Sequence, residues 1–261
     1  WCVALYTTVL ALEFSPVVFT KLGWERPLGW AQKAMIPLVI AGVILSTLHQ
    51  SSLGSLYLIV PHRLHALWYT PLLPVLFFVS ALAAGLAMTI FESWLSSRAF
   101  GRALEAPLLA SLGKALAVTL ALCLALRIAD LAWRGALPLA LKGGTESAAF
   151  GLETLLILVP ALLLWRRGIR ENPRALYGCA VLVIAGFVAN RLNVSITGML
   201  AASSVPYLPK WTEVAATVAM VAAGVALFGL AARWLPVFEE SEPGLLPRDG
   251  RKLEPERTSG V

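Results

Sequence analysis

Two long stretches of this chain carry no charged side chain: Ile36 to Val60 and Ala66 to Phe91. A helix crossing a bilayer core of roughly 30 Å needs about 20 such residues. In lipid, only helices and closed barrels keep every backbone polar group paired. The pattern recurs along the chain. Seven apolar spans run about Trp1–Thr20, Trp30–Val60, Leu67–Leu95, Pro107–Trp133, Ala149–Trp165, Ala175–Met199 and Trp211–Leu235. Hydrophobic residues make up 58% of the sequence, above the roughly 45–50% of a soluble domain. The expected fold class is an all-α integral membrane protein, a polytopic helix bundle of about seven transmembrane helices. Residues 1–235 form the bundle. Pro236–Val261 turns polar and Pro-rich without apolar periodicity and is expected as a disordered cytoplasmic tail.

A net charge of +6 would suit a nucleic-acid partner on a soluble protein. Between membrane spans it reads instead as an orientation signal, and no nucleic acid is expected. The loop Arg166–Arg174 carries four arginines and is placed in the cytoplasm by the positive-inside rule. Alternation of the spans then puts fifteen basic residues inside, including Lys21, Arg98, Arg102 and the four of the tail. Only Arg63, Arg134, Lys142 and Lys210 fall outside. Trp1 is expected outside and the C-terminus in the cytoplasm. The chain starts on an apolar tryptophan, with no n-region or cleavage site, and reads as a fragment that earlier spans precede. Cys2, Cys123 and Cys179 are isolated among apolar residues and read as packing groups, not as a metal or redox set.

With that orientation, polar residues inside the spans become a map, because such groups are costly in lipid and are functional candidates by default. His49-Gln50-Ser51-Ser52 lies in the outer half of the second span. As one helix that span is about 46 Å long, so it either tilts or breaks near Ser51–Ser55. Arg127 and Asp130 share a face of the fourth span, and as a self-neutralising pair they would need no ligand. Asn190, Arg191 and Asn193 close the sixth span, where Arg191 has the reach to snorkel to the interface. Glu146 and Glu153 open the fifth. Four spans thus carry polar groups to the outer leaflet. Glu13 lies mid-span in the first helix, and Glu92 lies towards the inner end of the third. The bland reading of His49 and the serines is glue between helices, and that of Glu92 is simple reach to the cytoplasmic interface.

The chain has three histidines, of which only His49 is inside a span. That inventory argues against a haem, and no metal site is expected. No Walker A, HExxH, Gly-rich dinucleotide motif or CxxC is present. Redox chemistry would have to come from a mobile cofactor or a partner.

The run His49-Gln50-Ser51-Ser52-Leu53-Gly54-Ser55 resembles the NrfD/PsrC family of quinone-interacting membrane subunits, and within it the HybB-like branch of hydrogenase-2-type enzymes. Leu67-Trp68-Tyr69-Thr70-Pro71, Gly85-Leu86-Ala87-Met88 through Glu92-Ser93, Leu10-Ala11-Leu12-Glu13-Phe14-Ser15-Pro16 and Arg191-Leu192-Asn193-Val194-Ser195 are similar too, in order over residues 1 to about 235. The resemblance implies about ten spans in the family, of which these would be the last seven. It implies a menaquinone or ubiquinone pocket near the outer face. It also implies electron exchange with a ferredoxin-like iron–sulfur subunit and a catalytic redox subunit, in a bacterial inner membrane.

The function expected is that of a quinone-reactive subunit, not catalytic alone. His49, Gln50, Ser52, Arg127, Asp130, Arg191 and Asn193 are the expected quinone-binding residues. Glu13, His49 and Asp130 are the expected catalytic residues: His49 to bond the ring and relay a proton, Asp130 or Glu153 to hold its tautomer or pass protons on, with Arg127 to stabilise negative charge. Glu13 with Glu92 is the expected proton path to the cytoplasm. The rivals are a secondary transporter, for which no internal repeat of the polar run is visible, and a passive membrane anchor.

Overall fold

The computed structural model describes residues 1–101, 103–200 and 210–235, the side chain of Cys2 excepted. The expected tail Pro236–Val261 and Arg102 of the charge count lie outside the described residues. The elements are α1 (Cys2–Leu22), α2 (Glu25–Leu56), α3 (Leu73–Phe100), α4 (Ala106–Trp133), α5 (Leu137–Leu141), α6 (Thr145–Leu163), α7 (Arg167–Glu171), α8 (Pro173–Leu192), α9 (Gly198–Leu200) and α10 (Trp211–Trp234). Among the described residues there is no strand. Seven helical segments are long and apolar enough to cross a membrane, each matching one of the seven apolar spans. The chain is a multi-pass membrane protein.

The helices divide into two compact units. The larger holds residues 1–13 and 34–210; the smaller holds 14–33 and the chain from 211. In the smaller unit Phe19 stacks on Trp24 at the turn between α1 and α2.

Within the larger unit α3, α4, α6 and α8 close a ring: α3 packs on α4 and α8, and α6 packs on the same two. Their shared core is built on small residues. Ala83, Ala87, Ala117 and Ala180 are fully buried beside Leu116, Leu120 and Val183. Lipid tails are as apolar as leucine, so membrane helices associate through close backbone approach, and small side chains permit it. Cys123 and Cys179 sit in this core as packing groups.

One end of the ring is plugged by the connection between α2 and α3. Leu64, Leu67 and Trp68 are buried there against Leu131, Phe150 and Val194. The connection is tied down by the His65 N–H, which donates to the Gly198 carbonyl at 2.9 Å. This corrects the start expected for the third span. Leu67–Leu72 is apolar but not helical, and α3 begins at Leu73 with Pro74 in its first turn. Pro71 biases Thr70 away from helical geometry, and Pro74 suits the first turn of a helix because its missing N–H would be unpaired there.

The second span does not break at Ser51–Ser55. α2 runs unbroken to Leu56 and continues as a 3₁₀ turn over Tyr57–Ile59. The Ser55 hydroxyl donates to the Ser51 carbonyl within the helix at 3.2 Å, so the polar run is helix-compatible. Gly54 explains how α2 docks here. A Cβ at that position would lie 2.9 Å from the Leu73 carbonyl oxygen and the Pro74 Cα.

Candidate functional site

Glu153 of α6 is completely buried in the polar end of the ring. Four side chains from three directions converge on its carboxylate. The Trp68 indole N–H donates to Oε1 at 3.0 Å, and the Arg127 guanidinium pairs with the same oxygen. Asn190 and Asn193 donate to Oε2 at 3.3 and 2.8 Å. A buried carboxylate costs several kcal/mol unless its lone pairs are met; here they are met from α4, α8 and the α2–α3 connection together. Arg127 also lies 4.7 Å over the Phe150 ring, a favourable seat for a cation.

Asp130, one turn further along α4, belongs to a second pair. Arg134 donates to its Oδ2 from Nε at 3.0 Å and Nη2 at 2.7 Å, and the Thr70 hydroxyl donates to Oδ1 at 2.5 Å. Arg134 also reaches the Ala66 carbonyl at 2.7 Å. The expectation of a self-neutralised Arg127–Asp130 pair is therefore corrected. Arg127 turns to α6, and Asp130 takes its partner four residues on. Spacings of three and four both place side chains on one face, and tertiary partners decided between them.

Arg191 is the third guanidinium. It does not snorkel outward, which corrects that reading as well. It lies 3.6 Å over the Phe77 ring, donates to Ser80 Oγ at 2.8 Å and to Asn190 Oδ1 at 3.0 Å. Among the described residues no carboxylate pairs with it. Three guanidiniums against two carboxylates leave the cluster one positive charge in excess. The helix holding these groups is irregular. α8 passes into a π-turn over Asn193–Thr197, with the Thr197 hydroxyl on Asn193 Oδ1 at 3.0 Å. π-bulges of this kind occur frequently at functional sites because they re-aim side chains.

Cavities surround Arg191 on three sides. A small one of about 40 Å³ lies inside the cluster, between Arg191, Arg127, Asp130 and Thr154. A groove of about 500 Å³ lies between α2, α3 and α8 and is lined by Ser46, Gln50, Ser80, Met88, Phe187 and Arg191. Another of about 370 Å³ runs past Leu53, Tyr57, Phe77, Arg191 and Met199. Ligand pockets are typically 300–1,000 Å³, mostly apolar with a few polar groups, and the two larger cavities match that description.

The sequence-derived residues thus divide. Arg127, Asp130, Arg191 and Asn193 are in one network. Gln50 shares the 500 Å³ groove with Arg191. His49 is half-buried on α2 and lines none of the three cavities, and Ser52 is exposed on that helix. Glu13 lies apart, in a cavity of about 540 Å³ with Ser46 and Thr47. Its Oε1 occupies the space beside Gly42, 3.0 Å from where a Cβ would stand. Glu92 is exposed on α3. Sequence reading missed Trp68, Thr70, Ser80 and Arg134. The motif Leu67-Trp68-Tyr69-Thr70-Pro71 contained two of them, but its apolar character read as a span. Among the described residues no group of three His, Cys, Asp or Glu is placed to hold a metal ion.

The family profile described as polysulphide reductase, NrfD, matches residues 2–203. The chain belongs to the NrfD family. It is 32% identical over 240 residues to the probable Ni/Fe-hydrogenase 2 b-type cytochrome subunit of Escherichia coli, covering 90% of this chain and 61% of that protein. It is 29% identical over 271 residues to the menaquinone reductase integral membrane subunit of Nitratidesulfovibrio vulgaris, covering 92% of this chain and 64% of the relative. The NrfD chain therefore spans a little over three-fifths of the length of these curated relatives.

Proposed function

We propose that this chain is the quinone-reactive part of a respiratory membrane oxidoreductase. In this reading it exchanges electrons between a menaquinone or ubiquinone pool and an extracytoplasmic, ferredoxin-like iron–sulfur subunit, which serves a catalytic redox subunit. The observation that carries the reading is Arg191, a cation with no carboxylate partner among the described residues, set between two ligand-sized cavities. A half-buried cation held only by neutral groups suits an electron-rich partner. The menaquinone reductase subunit among the relatives favours a quinone as that partner, and the hydrogenase subunit favours a hydrogenase-type complex.

A bound quinone supplies the redox chemistry, taking up two electrons and two protons to become a quinol. The protein supplies position and charge. Arg191 donates to a carbonyl oxygen and stabilises negative charge that develops on it. Gln50 and Ser80 line the same groove, with His49 and Ser52 beside Gln50 on α2. Met88 and Phe187 give the ring apolar walls. Arg127, Asp130 and Asn193 hold Arg191's surroundings rigid. Glu13, with Glu92 towards the cytoplasm, is the acid path for protons drawn from that side.

Haem suits the donor set poorly. Axial histidines must come from opposed elements around the iron, yet His49 is the only histidine of a spanning helix, and His65 Nδ1 already accepts the Leu67 N–H at 3.3 Å. The cofactor proposed is the quinone alone. The proposed setting is a bacterial inner membrane with the C-terminus in the cytoplasm.

Arg191→Met and Arg191→Lys in the purified complex test the reading. Losing a charge-stabilising donor costs about 10²–10³ in turnover. The expected result is that loss in quinone turnover for Met, partial recovery for Lys, and normal assembly of both. Wild-type turnover by assembled Arg191→Met would overturn it. Purified wild-type complex that neither binds nor turns over quinone would favour a transporter or a passive anchor.

A further inference from the structure

Thr154 of α6 carries an orphan. Its Oγ1 is buried and has no hydrogen-bond partner among the described residues. An unmet buried hydroxyl is costly, whereas neighbouring Glu153 is met by four donors. The hydroxyl borders the cavity of about 40 Å³ inside the polar cluster. A water needs roughly 10–15 Å³ of such volume and two to four polar partners. The cavity therefore has room for two or three waters. Its walls carry Arg127, Asp130, Asn190, Arg191 and Thr70 besides Thr154, so partners abound.

We propose that this cavity is a built site for ordered water, anchored by Thr154, that bridges Asp130 to Arg191. The cavity spans from Arg191, which faces the ligand-sized grooves, to Asp130 and Arg134 beside the α2–α3 connection. Resting on the quinone reading, this water gives the ring a proton exchange route at the plugged end of the ring of helices, separate from Glu13. On oxidation of a quinol, two electrons leave for the iron–sulfur subunit, and two protons leave the ring oxygens. The water chain takes those protons and passes them to solvent beside Arg134; reduction runs the same chain backwards. Asp130 and Glu153 anchor the walls, held by Arg134 and Thr70 and by the four donors to Glu153.

Thr154→Val removes the hydroxyl and keeps the shape. If the cavity is hydrated, the variant strips the water of an anchor. The thermal midpoint of the purified complex should then fall by about 2–4 °C, while Thr154→Ser stays at wild type. If the cavity is dry, removing an unmet hydroxyl stabilises the protein; a midpoint raised in Thr154→Val would overturn the water site. Density for water between Thr154 and Asp130 in a high-resolution structure of the full complex is expected, and an empty cavity there would overturn it equally. For the proton role, quinol turnover of Thr154→Val should fall about tenfold with KM unchanged and a larger solvent deuterium isotope effect. A lowered midpoint with unaltered turnover and isotope effect would reduce the water to structure and overturn the proton route. A wild-type complex without quinone turnover would sink the quinone reading and the proton route together, while the midpoint comparison still decides the water.

Discussion

Glu153 is the residue on which the polar end of the bundle closes. Trp68, Arg127, Asn190 and Asn193 all donate to it, and Asn193 also reaches the Ala149 carbonyl at 3.1 Å. Removing one partner of a buried ion pair costs about 3–5 kcal/mol, because the other charge is left uncompensated. Glu153→Ala should therefore cost about that much, read as a large drop in the thermal midpoint or a failure to accumulate in the membrane. Glu153→Gln keeps one acceptor and should lose less. Equal stability of Glu153→Ala and wild type would remove the carboxylate from its structural role. Glu13 is a different kind of acid. It occupies space that Gly42 leaves open and borders a cavity of about 540 Å³ that shares Ser46, Ala81 and Gly85 with the groove at Arg191. In the proposed reading this carboxyl passes protons towards the quinone without touching it. Glu13→Gln should slow quinone turnover and leave quinone affinity nearly intact, since Gln keeps the shape but cannot titrate. Turnover and affinity measured on one preparation decide the matter. Unchanged turnover excludes Glu13 from the mechanism, and lost affinity would make it a pocket residue.

At the scale of elements, hydropathy alone located all seven spans, because the cost of an unpaired backbone group in lipid leaves a chain this apolar no other spanning structure than helix. Charges within spans were legible for the same reason: Arg127, Asp130 and Arg191 stand out against apolar neighbours. What did not follow from the sequence was pairing. Arg127 had Asp130 three residues away and took Glu153 of another helix, while Asp130 took Arg134 and Thr70. Only the stretch Leu67–Leu72 of this connection reads in the sequence as the start of a span, because it is apolar; Leu67 and Trp68 are buried as deeply as any helix core. Their burial is in protein, where an irregular backbone can find partners such as Gly198 and Arg134. Trp68 and Thr70 were consequently invisible as site residues, although they supply donors to the two buried carboxylates. His49 shows the opposite case. A lone intramembrane histidine attracts attention in a sequence, yet its helix turns Gln50, not His49, towards the groove of Arg191.

At the scale of the whole molecule, the polar network gives one end of the ring a chemistry the other lacks. The α2–α3 connection, the end of α4, the start of α6 and the π-turn after α8 meet there through Arg134 on Ala66, Ser147 on Leu139 and His65 on Gly198. The basic loop Arg166–Arg174 leads out of α6 and into α8, at the opposite ends of those helices. In the proposed orientation, which rests on fifteen basic residues against four, the basic end is cytoplasmic and the polar network extracytoplasmic. An iron–sulfur partner outside would then approach the same end that holds Arg191 and Asp130. Site-directed labelling tests this arrangement. Gly168→Cys and His62→Cys are both at exposed positions, one in the basic loop and one in the α2–α3 connection. In a Cys2→Ser background the remaining Cys123 and Cys179 are buried and should not compete for a membrane-impermeant maleimide. Added from the periplasmic side of intact cells, the reagent should label His62→Cys and spare Gly168→Cys until the membrane is opened. The reverse pattern would invert the topology and place the Arg191 groove near the cytoplasmic leaflet. It would also remove the geometric basis for an electron partner outside the cell membrane.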